Sequence, residues 1–367
     1  MLAHIRKTNT KKINVVLFIL VILLLISDFN SQEKSADILN LAFAGDLFIQ
    51  SQLFKSYYDP NTKSYYFPED IFEDIKEFIN KDFSFIVIDT PVATNLYPPS
   101  GYPLYNAPIE ILDTLKKVGF NVMITSGNHS LDKGEKGLIT TMENMIKKDL
   151  YYVGTNKTKE ESNKYLILEK NNIKIGILAY TFSTNGIPLS EGKDYLVNLI
   201  NKQKIKNDLE KIKNLCDFKI VYLHWGNIEY LDEIEESQKK LAKEIISYGA
   251  DLIVGSHPHA IKPYENINGK WCFYALGNFF TDQYGVYRPE VKYGFILNIS
   301  LLKYNDKVNL VSKEIIPIFI WRKNLGKRYE YKILRAEKVK NLPNIDIKDK
   351  MYFERVKKIL KLEEERL

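Results

Sequence analysis

Residues Asp251-Leu-Ile-Val-Gly-Ser-His257-Pro-His259 decide how this chain is read. A short apolar run closes on Gly255 and then presents two imidazoles, so it reads as a buried strand with both histidines just past its carboxyl end. In α/β folds that edge is where ligand sites are built. Pro258 stiffens the backbone between the rings. They can face two neighbouring metal ions, or one ion and a substrate oxygen, or they can simply fill a polar turn.

On both sides of this stretch, apolar strands alternate with helical patterns. Before it come a strand over 38–44, a helix near 69–80, a strand over 83–88, and a helix from about 108 to 118 stopped by Gly119. A strand over 120–124, a helix around 135–148, strands near 164–169 and 173–180, and a long helix around 195–214 follow. A strand over 218–223 and a helix over 233–248 lead to the histidine pair, and a strand over 271–276 comes after it. Such alternation predicts an α/β domain with a largely parallel central sheet. From 292 to 321 the pattern becomes hairpin-like with no helix between, which predicts a second, more antiparallel sheet. The domain is expected over 38–330, with 331–367 as a charged helical tail whose amphipathic part, 349–366, lies on or docks against the surface.

The chain has 367 residues, 45% of them apolar and 27% charged, as in soluble globular proteins. Its net charge is +6, but Arg6, Lys7, Lys11 and Lys12 supply four of those charges with no acid among the first twelve residues. The remainder is nearly balanced, so charge gives no support for a nucleic-acid surface. Cys216 and Cys272 are too few for a disulfide scaffold or a thiolate metal site. They read as small buried hydrophobes, or as a single bridge if the domain is exported.

Export is what the N-terminus suggests. The basic residues precede Ile13–Ile26, which is apolar except for Asn14. That length suits a signal-peptide core better than a full membrane span, yet no small-x-small cleavage pattern or lipid-accepting cysteine follows closely. Residues 1–30 are therefore expected to be an uncleaved signal anchor, with Lys11 and Lys12 snorkelling, and 31–37 a linker. The basic flank stays cytoplasmic, placing the domain outside the cell; the alternative is secretion after cleavage.

Polar residues gather at the predicted strand ends: Gly45-Asp46, Asp89-Thr-Pro91, Ser126-Gly-Asn128-His129, His224-Trp-Gly226, and His257 with His259. Four of the five histidines fall there, which scattered core or surface histidines would not do. Oxygen and imidazole donors without thiolate suit one or two ions of Mn, Zn, Fe or Mg. Two ions roughly 4 Å apart need a shared carboxylate, and Asp89 is the best-placed candidate. Asp132 either orients His129 or caps the following helix. Glu229 and Tyr230 either meet substrate or open a helix beside a packed ring. Asn278 and Asp282 sit after the last core strand, where Asn278 supports the site or makes a turn. Arg288 grips a carboxylate or phosphate, or is simply solvated. The Pro- and Tyr-rich loop 92–106 is a wall or lid over the site, or an ordered surface loop.

The joint order of GD, carboxylate, GNH, HWG and GxHxH resembles the calcineurin-like metallophosphoesterases. It more closely resembles the related CapA (capsule synthesis, poly-γ-glutamate synthesis) family. The residues that carry the likeness are Ala44-Gly45-Asp46, Asp89-Thr-Pro91, Asn128-His129-Ser-Leu-Asp132-Lys-Gly134, His224-Trp-Gly-Asn-Ile-Glu229-Tyr230, Gly255-Ser-His-Pro-His259 and Leu276-Gly-Asn278-Phe279. The resemblance implies a four-layer α/β/β/α metallophosphoesterase-like sandwich behind an N-terminal membrane anchor, with the site at one edge of the paired sheets. It implies that Asp46 and His259 hold one metal, that Asn128, His224 and His257 hold the other, and that Asp89 bridges them. His129 then donates a proton to a leaving oxygen or binds an anionic group. It further implies work at the cell membrane, with other subunits of a synthesis and export complex, on an anionic poly-γ-glutamate-type polymer.

The sequence departs from the pattern at three points. Phe48 stands where phosphoesterases usually place a metal-binding His. Asp89 and Val87 stand where CapA proteins commonly have Glu and Asn, and Gly127 follows the phosphoesterase form. Two other readings therefore stand beside the capsule one: a metal-dependent phosphoesterase acting on a small exported substrate, and a non-catalytic polymer-binding scaffold. With no Walker-type phosphate loop, any ATP-driven ligation falls to another subunit.

Overall fold

Strand β1 (Asp37–Leu47) is apolar on both faces over its second half, so it must lie inside a sheet that is covered on both sides. The computed structural model, which describes residues 37–283 and 288–362, places it there. A small hairpin, β2 (Tyr58–Asp59) with β3 (Ser64–Tyr65), stands apart. The other strands are β4 (Phe83–Ile88), β5 (Val122–Ile124), β6 (Tyr151–Val153), β7 (Leu166–Lys170), β8 (Ile173–Thr181), β9 (Phe218–His224), β10 (Leu252–Ser256), β11 (Ile261–Ile267), β12 (Lys270–Leu276), β13 (Asn278–Phe280), β14 (Tyr293–Tyr304), β15 (Lys307–Asn324) and β16 (Tyr329–Arg335).

The first sheet runs β16-β15-β14-β1-β4-β5-β6, with β13 also paired to β1; the second runs β11-β12-β10-β9-β8-β7. Parallel pairing joins β1, β4, β5 and β6 in one and β8, β9, β10 and β12 in the other. Antiparallel pairs lie towards the margins.

Because side chains alternate along a strand, each sheet offers two apolar faces. Phe43, Phe85 and Val87 of the first sheet meet Ile177, Tyr222 and Val254 of the second in a shared core. On the opposite face of the first sheet, Ala44, Ile86 and Met123 pack with Ile111 and Leu115 of the helix Glu110–Val118. On the opposite face of the second, Val221, Leu223 and Ile253 pack with Leu209 and Ile245 of the helices Lys202–Ile212 and Glu236–Ser247. The layers are helix, sheet, sheet, helix.

Several expectations need correction. The stretch 292–321 does not found a second sheet: β14, β15 and β16 extend the first one beside β1. A hairpin with no helix of its own cannot cover both its faces. Phe295 and Leu297 therefore join the shared core, while Ile296, Ile316 and Ile318 join the helix-side cluster. The second sheet is built from residues 166–276 instead. A domain boundary at 330 would cut β16, and the unit extends from Ile38 through the tail. The tail helix Ile347–Ile359 buries Tyr352, Phe353 and Val356 in the shared core. The expected helix near 69–80 is a 3₁₀ turn, Glu69–Phe72, followed by Lys76–Ile79. Its Asp74 accepts from the Arg335 backbone N–H, which ties the segment to β16. The helix expected over 195–214 begins only at Lys202, capped by Asn201, because Asn198 and Ile200 donate to Gly154 and Thr181. Both cysteines are free. Among the described residues no helix is long and apolar enough to cross a membrane; the expected anchor, residues 1–30, lies outside them.

Phe43 stacks on Phe85 with ring centres 4.9 Å apart in the shared core. Phe43→Ala should lower the unfolding free energy by about 3–5 kcal/mol. Tyr66→Ala, at an exposed ring, should change it by less than about 0.5 kcal/mol. Urea unfolding of both variants measures the difference.

Candidate functional site

The parallel strands of each sheet deliver their carboxyl ends to one place. Asp46 is the penultimate residue of β1, and Asp89 follows β4, the neighbouring strand. Gly45 is required beside Asp46, because a Cβ there would sit 1.9 Å from the Gly277 carbonyl oxygen. Asn128 and His129 follow β5, His224 ends β9, and His257 and His259 follow β10. Asp46, Asp89 and His224 are almost completely buried.

The Asp46 carboxylate accepts from the His257 backbone N–H at 3.1 Å and lies 3.8 Å from His259 Nδ1. Asp89 accepts from the His129 backbone N–H at 3.3 Å and lies 3.7 Å from His224 Nε2. His224 Nε2 is 2.7 Å from the Asn128 side-chain oxygen, and its Nδ1 is 2.9 Å from Ser256 Oγ. The His224 and His257 ring centres are 4.9 Å apart, and those of His257 and His259 6.1 Å. Both His257 and His259 have left-handed backbone, with φ of 97° and 54°. Such strain persists only where surrounding structure holds it, and it gathers at functional sites.

Burial controls the protonation of this cluster. It pushes Asp46 well above the usual carboxylate range, with the Asp89 charge adding to the effect. It also raises Asp89 to about 6. The same burial, with mutual imidazole repulsion, holds His224 well below its ordinary value and His257 down at about 3. His259 is lowered to about 4. His129 differs: burial alone would lower it, but the Asp132 hydrogen bond and the Asp89 and Asp132 charges raise it.

Asp132 does not cap a helix. Its carboxylate accepts from His129 Nδ1 and from the Tyr105 backbone N–H, each at 2.7 Å. Asn278, expected to support the site or make a turn, is fully buried beside His259. Its amide donates to Gln283 and to the Val291 carbonyl, which leaves its oxygen, 3.1 Å away, to accept from His259 Nδ1. That fixes the tautomer of His259 with Nε2 unprotonated. Glu229 lies 3.8 Å from His257 Nε2. Tyr230 stacks over His259 at 5.9 Å, and the exposed Arg288 guanidinium sits 5.8 Å from the Tyr230 ring. Phe48 packs on His259 at 4.8 Å. Asp282 pairs with Arg322.

Three contributors went unnoticed in the sequence. Phe182, directly after β8, places its ring 4.5 Å from His257, and the strand-end rule applied to apolar residues would have found it. Tyr105, within the 92–106 loop, meets His129 at 4.7 Å. Asn185 accepts from the Asn128 amide at 2.7 Å, a contact across 57 residues that no local pattern announces.

Asp46 Oδ1, Asp89 Oδ2 and His257 Nδ1 are buried without a hydrogen-bond partner. Such atoms are costly unless something pairs with them. Two carboxylates, three imidazoles and an amide oxygen are donors that suit a divalent cation. Among the described residues, however, no three His, Cys, Asp or Glu side chains already stand in a coordinating arrangement.

A family model described as bacterial capsule synthesis protein PGA_cap matches residues 40–283. The chain is 31% identical over 219 residues to the PGA biosynthesis protein CapA of Bacillus subtilis, covering 58% of this chain and 54% of that protein. It is 32% identical over 183 residues to the capsule biosynthesis protein CapA of Bacillus anthracis, covering 47% and 43%. The match thus spans about half the length of these relatives. A solved calcineurin-like phosphoesterase from Bacillus subtilis aligns with a TM-score of 0.44 and 13% identity, covering 77% of this chain and 90% of that one.

Because the folded state holds Asp89 at about 6 against an ordinary 3.8, its charge opposes folding once the pH exceeds 6. The stability that its neutral form contributes is present below 3.8 and is lost as pH rises through 6. With metal chelated, Asp89→Asn should therefore stabilise the protein at neutral pH by up to about 3 kcal/mol, and the gain should vanish in the acid range. Urea unfolding at several pH values measures it.

Proposed function

Because this chain belongs to the PGA_cap family of bacterial capsule synthesis proteins, we propose that it acts in making, exporting or anchoring a poly-γ-glutamate-type surface polymer. Its site would work as a divalent-metal centre. The observation that carries this reading is the set of buried, partnerless atoms on Asp46, Asp89 and His257 at the meeting point of both sheets. Asp46 with His259 would hold one ion; Asn128, His224 and His257 would hold the other; Asp89 would serve both. Bound there, a divalent cation would supply Lewis-acid polarisation of a substrate oxygen.

The chain's own residues account for the rest. His129, with Nδ1 fixed by Asp132, exchanges a proton at Nε2, and its raised pKa keeps the charged form available near neutral pH. Glu229 and Tyr230 border the imidazoles, and Arg288 beside Tyr230 brings a cation suited to a carboxylate or phosphate. The His129–Asp132 pair favours a catalytic form of this reading, a hydrolase or transferase. It also keeps the phosphoesterase alternative open. Phe48, packed on His259 where a ligand would stand, favours the scaffold alternative. In this proposal residues 1–30 tether the domain to the cell membrane with the bulk of the chain outside, beside other subunits of a synthesis complex.

Metal analysis of the purified full-length protein tests the centre. Wild type should carry Mn, Zn or Fe, and Asp46→Asn and His257→Ala should each lose most of it. In cells, His129→Ala should abolish surface polymer while protein and metal levels hold. Turnover of a chromogenic phosphodiester lost in His129→Ala would instead favour the phosphoesterase. Polyglutamate retention that persists without metal would favour the scaffold. For the tether, alkaline carbonate should leave the full-length chain in the membrane fraction, and deleting residues 13–26 should release it.

A further inference from the structure

Beside His129, the helix Ser51–Ser56 and residues 99–104 of the Pro- and Tyr-rich loop face each other across a groove of about 710 Å³. Ligand sites have this size. Among the described residues its lining holds two cations, Lys55 and Lys133, three phenol rings, Tyr58, Tyr65 and Tyr102, and no carboxylate. Lys133 directly follows Asp132, and its Nζ donates to the Leu104 carbonyl at 3.1 Å, leaving two N–H donors for a ligand. Lys55 is exposed. The groove wall leads to the site: Tyr102, 81% exposed, stands 6.5 Å from the Tyr105 ring, which meets His129.

The loop that forms this wall is already ordered. Asn106 accepts from the Ala93 backbone N–H and donates to the carbonyls of Tyr97 and Pro98. A preformed wall spares a ligand the entropy of ordering it. An extended chain with a carboxylate on each repeat and an aliphatic stem between repeats fits such a lining. Ammonium groups pair with the carboxylates, and phenol rings cover the stems.

We propose that this groove binds a stretch of the anionic glutamate polymer and leads it past Tyr102 to His129. The proposal rests on the capsule-polymer reading above. Binding of a fluorescent, short γ-linked glutamate oligomer to the full-length protein, followed by anisotropy, tests it. An oligomer with its α-carboxylates amidated is the neutral control. The double variant Lys55→Gln, Lys133→Gln should bind the anionic oligomer at least about tenfold more weakly and with a shallower salt dependence. Its metal content and its response to the neutral control should not change. Tyr102→Ala should weaken binding several-fold, and Lys55→Arg with Lys133→Arg should preserve it. If the Gln pair binds as wild type does, or if it loses the neutral oligomer equally, the groove assignment is overturned while the polymer reading stands. A wild-type protein that binds neither oligomer overturns both.

Discussion

Two carboxylates buried at the ends of adjacent parallel strands constrain the rest of this structure. Asp46 and Asp89 are there because β1 and β4 are neighbours in the first sheet. Neither can be moved to solvent without unpicking the core that holds those strands. Each keeps one oxygen without a partner. A protein that stopped at stability would replace them with apolar residues of similar size. Retaining them means that the fold supports a charge arrangement which it would not choose for its own stability.

The second sheet answers that arrangement. Its strand β9 ends in an imidazole and two more follow β10, and the burial that raises the acids keeps those imidazoles neutral. The neighbouring side chains orient them. Ser256 and Asn128 hold His224, Asn278 holds His259, and the Asp46 carboxylate accepts from the backbone at His257. The left-handed turns at His257 and His259 cost about 1–3 kcal/mol each. The shared core between the sheets offsets that strain, with the tail helix closing part of it. Fold and site are therefore one problem, since the packing that stabilises the sheets also brings their carboxyl ends together.

His129 stands apart chemically. It is the one histidine of the cluster whose surroundings favour the charged form, and Asp132 is the reason. Similar residue types in one cavity thus divide into neutral donors and a proton-bearing group. Environment, not residue identity, sets the division.

The sequence alone was enough to show the α/β class and the residues at the strand ends. Apolar runs such as Leu252–Val254 are local signals, and a polar residue after one must emerge at a sheet edge. It also showed that four histidines shared that position. Only the tertiary structure decided which sheet each strand joined, that β14–β16 extend the first sheet, and that Asp132 faces His129. It alone revealed that Asn278 stands beside His259, and that Phe182 and Asn185 belong to the site. These outcomes rest on contacts between segments distant in sequence. Whether a hairpin founds a sheet or extends one depends on which apolar faces remain uncovered after everything else has packed, and no local pattern encodes that.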